Sequence, residues 1–437
     1  MHPPDLRQQS SPYAVPPAVP SQYAPSPYAP SHHAQRGVLV PVLVTALIAG
    51  LMGLLLGISG TLGVQWAADR GGPPGASGPV ETVLPSRLPE LVSFVEKRLG
   101  AEFEDEPEVT VLADDAFEDV LTGLPHSGPG HPQEIALDDF TSTVAALGLV
   151  EDGDAFDAYQ SSGYAEGVLG FYDTSARAIW LRGTSWSPTV EVTLVHELVH
   201  ALQDQVVDLD LVTSRTRVYD ESYLALAAVV EGHASVVEQD WIDEQGEGYA
   251  DAYWDEVDGY AGSPVGEPFA EAMSFLPYDL GWYAVSDLEA RDGHTATLEV
   301  MADAPTTLEQ LWEPRSWSDG DASMADPVEV PEPTHPAGSD AVDRGSLGAH
   351  VLSMLTLDPD EYSLLTEELE LPLQGWAGDE YVTWVEDDER SCTRVLVAFD
   401  DADDVQGAVA VLGGWAEDGG TLTPRGTSLE LERCQQD

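Results

Sequence analysis

Two histidines and a glutamate set the chemistry this chain can do. His196, Glu197 and His200 lie in the stretch TLVHELVHALQDQ, Thr193 to Gln205, an HExxH arrangement inside an apolar, helix-compatible run. On an α-helix, positions four apart are neighbours on one face. Two imidazoles at that spacing can grip one zinc ion without distorting the backbone. Glu197, next to the first histidine, projects beside such an ion, where a carboxylate can take a proton from metal-bound water. Leu194, Val195, Leu198, Val199, Ala201 and Leu202 surround the triplet and argue for burial. Buried imidazoles and a buried carboxylate need compensation, and a cation supplies it.

Catalytic zinc usually takes three protein ligands and leaves a fourth position to water. The continuation HExxHxxGxxH is not met, because Gln203 and Val206 stand where Gly and His would be needed. A third ligand from a downstream helix remains, with Glu221, Glu231 and Glu238 the acids to weigh. Glu231 is the best of them, since it alone is embedded in an apolar run. Its helix face reads Leu224, Ala227, Ala228, Glu231, Ala234, Ser235, Glu238, small enough for another helix to come close. A carboxylate in such a contact is costly unless a cation meets it. The developing oxyanion of a hydrolysis would also need a donor. Tyr278, Tyr283, His294 and His335 are the candidates, with Tyr278 and His294 taken forward.

The elements that must position these groups are legible on both sides. Ser187-Pro188 supplies an N-cap and a first-turn proline for the helix carrying His196. Just before it, Gly167–Tyr172 and Ala178–Leu181 read as a β-hairpin. A second long helix covers about Asp220 to Glu244 and carries Glu231. Upstream, the spacing predicts a helix over Leu88–Leu99, a strand over Val109–Leu112, and helices over Ala116–Leu121 and Ile135–Leu149. Downstream it predicts a helix opening near Phe275, short ones at Leu308–Leu311 and Leu347–Leu357, and a loop over Asp319–Asp340. The end reads strand (Tyr381–Val385), strand (Thr393–Phe399), helix (Asp403–Trp415), strand (Ser428–Leu431). Cys392 and Cys434, the two cysteines, flank these strands and suit a disulfide between antiparallel neighbours in an oxidising compartment.

His196-Glu-Leu-Val-His200, followed by an Ala/Gly-rich helix bearing Glu231, resembles the gluzincin class of zinc metallopeptidases. The preceding hairpin, the Ala201-Leu-Gln-Asp-Gln205 continuation and Glu231-Gly-His-Ala234 resemble a membrane-anchored branch of that class. The likeness covers residues 165–245 well; Pro277-Tyr278…Gly281 and Gly375 to Tyr381 match loosely. The resemblance implies an α+β fold with a gluzincin-like core: a small β-sheet, the HExxH helix and a second ligand helix. It implies amide hydrolysis by zinc-activated water, with Glu197 as general base, on a peptide or protein substrate. It also implies that the strand before the active-site helix, here Ala178, Ile179, Trp180 and Leu181, binds the substrate as an extra strand. Thermolysin-like members carry an Asp four residues after the third ligand, where this chain has Ser235. The carboxylate orienting a ligand histidine must then come from elsewhere, with Asp204 and Glu238 as candidates.

Composition bounds the rest. Against 17 Lys+Arg stand 78 Asp+Glu, a formal net charge of −61, which excludes polynucleotide binding and disfavours anionic headgroups. Asp152–Asp157 and Asp319–Asp321 are candidate Ca²⁺ stretches, though neither has EF-hand spacing. Residues 1–36 form a Pro/Tyr/Ala-rich tail that cannot bury a core. Within residues 37–66, Val38–Val64 carries no charge and can cross the roughly 30 Å hydrocarbon layer as an uncleaved signal anchor. Arg36 favours a cytoplasmic N-terminus and an extracytoplasmic catalytic part. Ala49, Gly53 and Gly57 form a small-residue ladder that could pair two such helices. Residues 67–86 read as a linker, 87–360 as the metallopeptidase-like domain, and 361–437 as a small α/β unit with the disulfide. Two further classes stand beside the peptidase: a non-catalytic zinc-containing envelope protein, and a zinc hydrolase of some non-peptide bond.

Overall fold

The computed structural model describes residues 78–122, 132–150, 168–183, 185–217, 219–260, 268–312, 327–359, 361–362, 372–386, 388 and 390–435. The first half runs α1 (Val80–Leu99), β1 (Glu108–Leu112), α2 (Asp114–Thr122), α3 (Pro132–Leu147), β2 (Gly170–Asp173) and β3 (Ala178–Arg182). The centre is helical: α4 (Pro188–Val207), α5 (Leu209–Thr213), α6 (Glu221–Gln245), α7 (Glu247–Tyr260), α8 (Pro268–Asp292), α9 (Ala296–Met301) and α10 (Glu309–Trp312). The last part is β4 (Ala341–Gly345), α11 (Gly348–Met354), β5 (Trp376–Val385), β6 (Ser391–Phe399), α12 (Ala402–Val411), α13 (Gly413–Glu417), β7 (Thr421–Arg425) and β8 (Ser428–Cys434). This is a mixed α+β architecture.

Both long central helices begin where their caps say they should. The Ser187 side chain accepts from the Val190 N–H, and Pro188 takes the first turn of α4. Asp220 does the same for α6 through the Ser222 N–H. Neither helix has a solvent face over its middle: α4 is buried from Thr189 to Asp204 and α6 from Tyr223 to Glu238. A helix apolar on all sides must be wrapped on all sides. Here α1, α7, α8 and the first sheet do the wrapping.

The closest approach is between α6 and α8. A Cβ on Gly281 would lie 2.0 Å from the Ala228 carbonyl oxygen, and one on Gly232 would lie 2.2 Å from the Gly281 backbone. Only a residue without a side chain fits at either point. We predict that Gly281→Ala lowers stability by about 3 kcal/mol, because backbone rather than a movable side chain obstructs the methyl. Denaturant unfolding checks this, and an unchanged midpoint would contradict the crossing. The α8 contact thus falls on Ala228 and Gly232, while Glu231, one position round, faces α4.

The first sheet has the order β1-β3-β2, with β1 parallel and β2 antiparallel to β3. Ala178, Ile179, Trp180 and Leu181 therefore lie in the central strand, hydrogen-bonded on both sides, and cannot take up a substrate strand. The expectation of an edge there fails because β1, some 70 residues upstream, covers it, a parallel pairing that no local pattern announces. The second sheet has the order β4-β5-β6-β8-β7, all antiparallel. Since β4 precedes residue 360, a domain boundary there would cut a sheet. All described residues fall in one compact unit, and its main apolar core runs through both sheets and the helices.

Cys392 and Cys434 face each other across β6 and β8 and are disulfide-bonded. Closing that loop contributes about 4 kcal/mol in the chain-entropy model. The second sheet and α13 are tied to α3 by polar groups: Arg433 on β8 and Trp415 Nε1 on α13 both donate to the Leu147 carbonyl at the helix end. A cation there also meets the negative end of the helix dipole.

Helix α1 starts at Val80, so the linker ends earlier than expected and Val80–Ser86 are helical. Pro85 is unfavourable inside a helix, but burial of Val80, Val83 and Leu84 outweighs it. Among the described residues no helix is long and apolar enough to cross a membrane. Val38–Val64 with Ala49, Gly53 and Gly57, the residue 1–36 tail, and both Ca²⁺ stretches lie outside the described residues.

Few cations serve many acids, and α1 spends two on the core. Arg87 forms a two-pronged bond to Glu191 in the first turn of α4. Arg98 bridges Asp240 and Glu289. Other buried acids go without a cation. Glu221 accepts from the Leu308 N–H at 2.7 Å, and its carboxylate lies so close to Gly348 that a Cβ there would be 1.9 Å away. Burial pushes its carboxyl well above the usual range, with Asp379, Asp220 and Glu309 adding to the rise. Burial likewise raises Asp379 to about 6, against the N–H groups of Leu347 and Gly348.

An acid whose pKa is higher folded than unfolded binds its proton more tightly when folded. Its contribution is therefore full below the unfolded value and lost as pH rises through the folded one. Asp379 alone should cost about 3 kcal/mol between about pH 4 and about pH 6. Denaturant unfolding should show the protein less stable at pH 7.5 than at pH 5, with Glu221→Gln narrowing the gap. A flat profile would rule this out.

Candidate metal centre

The α4 and α6 helices bring His196, His200 and Glu231 to one point, with ligand atoms all within 4.8 Å of one another. Nε2 of His196 and of His200 lie 3.2 and 3.4 Å from the same Glu231 oxygen, Oε2. All three residues are at most 1% exposed. Each imidazole is held from behind. His196 Nδ1 lies 3.1 Å from Glu238 Oε2, and His200 Nδ1 lies 2.9 Å from Gln203 Oε1. With each Nδ1 engaged from behind, both Nε2 atoms face the shared centre, the arrangement a ligand histidine needs.

Several buried polar atoms here make no hydrogen bond of ordinary geometry: His200 Nε2, Glu231 Oε1 and both oxygens of Glu197. Orphaned buried polar atoms are expensive, and an ion with a solvent molecule would relieve them. The group can therefore hold a metal ion. Two imidazoles and a carboxylate suit zinc and other divalent transition metals alike.

Burial would raise Glu231, but His200 and His196 beside it prevail and hold it down to about 2. Burial would lower His196, yet Glu231 and Glu238 outweigh it and raise the imidazole to about 10. Glu197 has no such counterweight. Burial pushes its carboxyl well above the usual range; His196 opposes this, as does the nearby Tyr172 backbone, and Glu231 adds to the rise.

Tyr278, on α8, is buried with its ring 6.4 Å from that of His196. The other expected donors lie elsewhere. His294 follows α8, is 64% exposed and bonds Glu289. Tyr283 is exposed beside Trp282, and His335 pairs with Ser339 in the coil before β4. Asp204 does not reach a ligand histidine. It accepts from the Tyr172 hydroxyl at 2.9 Å and from the Leu209 N–H at 3.1 Å, closing the end of α4. Gln203 takes the place intended for it. A buried amide three residues after His200, on the same helix face, was the available signal.

Comparison with protein-family models, with curated proteins and with solved structures finds no match for this chain. What is defined is thus a class of site: a buried His-His-Glu group with a further buried carboxylate, Glu197, beside it.

Proposed function

We propose that this chain is a zinc metallopeptidase of the gluzincin type, held at a membrane by Val38–Val64 with its catalytic part extracytoplasmic. One observation carries the reading. Glu197 is buried next to the ligand group, is not one of the three ligands, and makes no hydrogen bond of ordinary geometry. A purely structural centre has no use for such a group.

His196, His200 and Glu231 would hold the ion, which when bound supplies Lewis acidity and lowers the pKa of its water towards about 7. Glu197 takes the proton of the attacking water and passes it to the leaving amine. Tyr278 is the donor best placed for the developing oxyanion. Glu238 and Gln203 keep the imidazoles aimed. An extended peptide would pair with β2, the sheet edge whose Tyr172 backbone adjoins Glu197. Pairing through Ala49, Gly53 and Gly57 would make the anchored protein a dimer, and its acidity argues against nucleic-acid partners.

The near-complete burial of the group favours a second reading, a structural metal centre in an envelope binding protein. Metal content and peptide cleavage, measured on wild type and Glu197→Gln, separate the two. A wild type that holds zinc and cleaves nothing supports the second.

A further inference from the structure

Behind His200 a line of buried polar contacts leads away from the centre. Gln203 Nε2 lies 3.1 Å from the Val230 carbonyl, which can only accept. That fixes the amide, so its Oε1 must accept from His200 Nδ1–H. The second Nε2 proton faces His233 Nδ1 at 3.2 Å, which must then offer a lone pair. The His233 proton is left on Nε2, which makes no hydrogen bond of ordinary geometry but lies in charge contact, 3.5 Å, with Glu289 Oε1. Glu289 is the carboxylate at which the buried line ends, and the exposed His294 lies 3.2 Å from its other oxygen. Arg98 donates to the carboxylate from α1, and Thr297 Oγ1 donates at 3.1 Å. Every link is buried.

The polarity matters because a histidine binds a metal only through an unprotonated nitrogen. Were His233 to carry its proton on Nδ1, it would meet Gln203 N–H with N–H. Turning the amide to avoid that would present NH₂ to His200, and move the His200 proton onto Nε2, facing the metal. The negative charge of a carboxylate at position 289, together with the Val230 carbonyl, works against this by favouring the His233 proton on the far side.

We propose that Glu289 and Gln203 are positioning residues of the metal centre, Glu289 fixing the His233 tautomer, and through Gln203 the tautomer of His200. The inference rests on the metal reading of the site and not on peptidase activity.

The test uses the full-length protein. In the metal-free wild type, long-range ¹H–¹⁵N spectra of the histidine rings should show His200 protonated on Nδ1 and His233 on Nε2. Zinc affinity by chelator competition should weaken about 10- to 100-fold in Gln203→Leu and about tenfold in Glu289→Gln. The latter variant should also show a mixture of His233 tautomers, which a merely structural role would not produce. Unchanged zinc affinity in both folded variants overturns the inference alone. His233 protonated on Nδ1 in the wild type overturns it whether or not the variants fold. A wild type that takes up no zinc overturns the metal reading and this inference with it.

Discussion

Glu197→Gln should retain zinc and lose peptide hydrolysis by about 100- to 10,000-fold. The amide keeps the shape of the carboxylate in a fully buried position but has no basic oxygen to take a proton. The ligand group is untouched, since His196, His200 and Glu231 supply it without Glu197. The loss should fall on kcat and on kcat/KM alike, the signature of an interaction made only in the transition state. Metal content and steady-state kinetics on the same preparation check it. Cleavage at the wild-type rate would remove Glu197 as the base. Loss of zinc would mean that its carboxylate helps hold the ion.

Glu231→Ala should abolish zinc binding and, with it, the stability that zinc confers. The Oε2 oxygen lies within 3.4 Å of both ligand nitrogens and is the one anionic ligand of the group. Without it two buried imidazoles face a cation with no charge to balance it. At free zinc about 1,000-fold above its Kd, wild type should gain about 4 kcal/mol over the metal-free form. Thermal unfolding with zinc and with chelator should separate the two wild-type curves and superimpose those of the variant. A zinc-dependent shift surviving in Glu231→Ala would place the third ligand elsewhere.

How much of this was legible beforehand depended on the range of the interaction. The HExxH spacing, the cap at Ser187 and the apolar run around Glu231 are local, and they located three side chains that the structure brings together. Glu238 was one of two candidates for the carboxylate behind a ligand, and it stands behind His196. Asp204 was the other; it is engaged by Tyr172, a partner 32 residues away that helical spacing cannot reveal. His294 was picked by residue type alone, and residue type carries no position. The α7 helix went unread because its apolar residues are aromatic and scattered among acids. The first turns of α1 read as linker because their helix rests on burial of Val80, Val83 and Leu84, which only the assembled core provides.

From the chain alone come the two central helices, their ends, and the four residues that could do metal chemistry, because helical periodicity and capping act within a few residues. The assembled molecule settled the rest: which strand lies inside the first sheet, where α6 and α8 touch, that the second sheet reaches back before residue 360, and which groups aim His200. Those depend on pairings between distant segments. Each is chosen by competing burial and hydrogen bonding across the whole core, which no stretch of sequence states by itself.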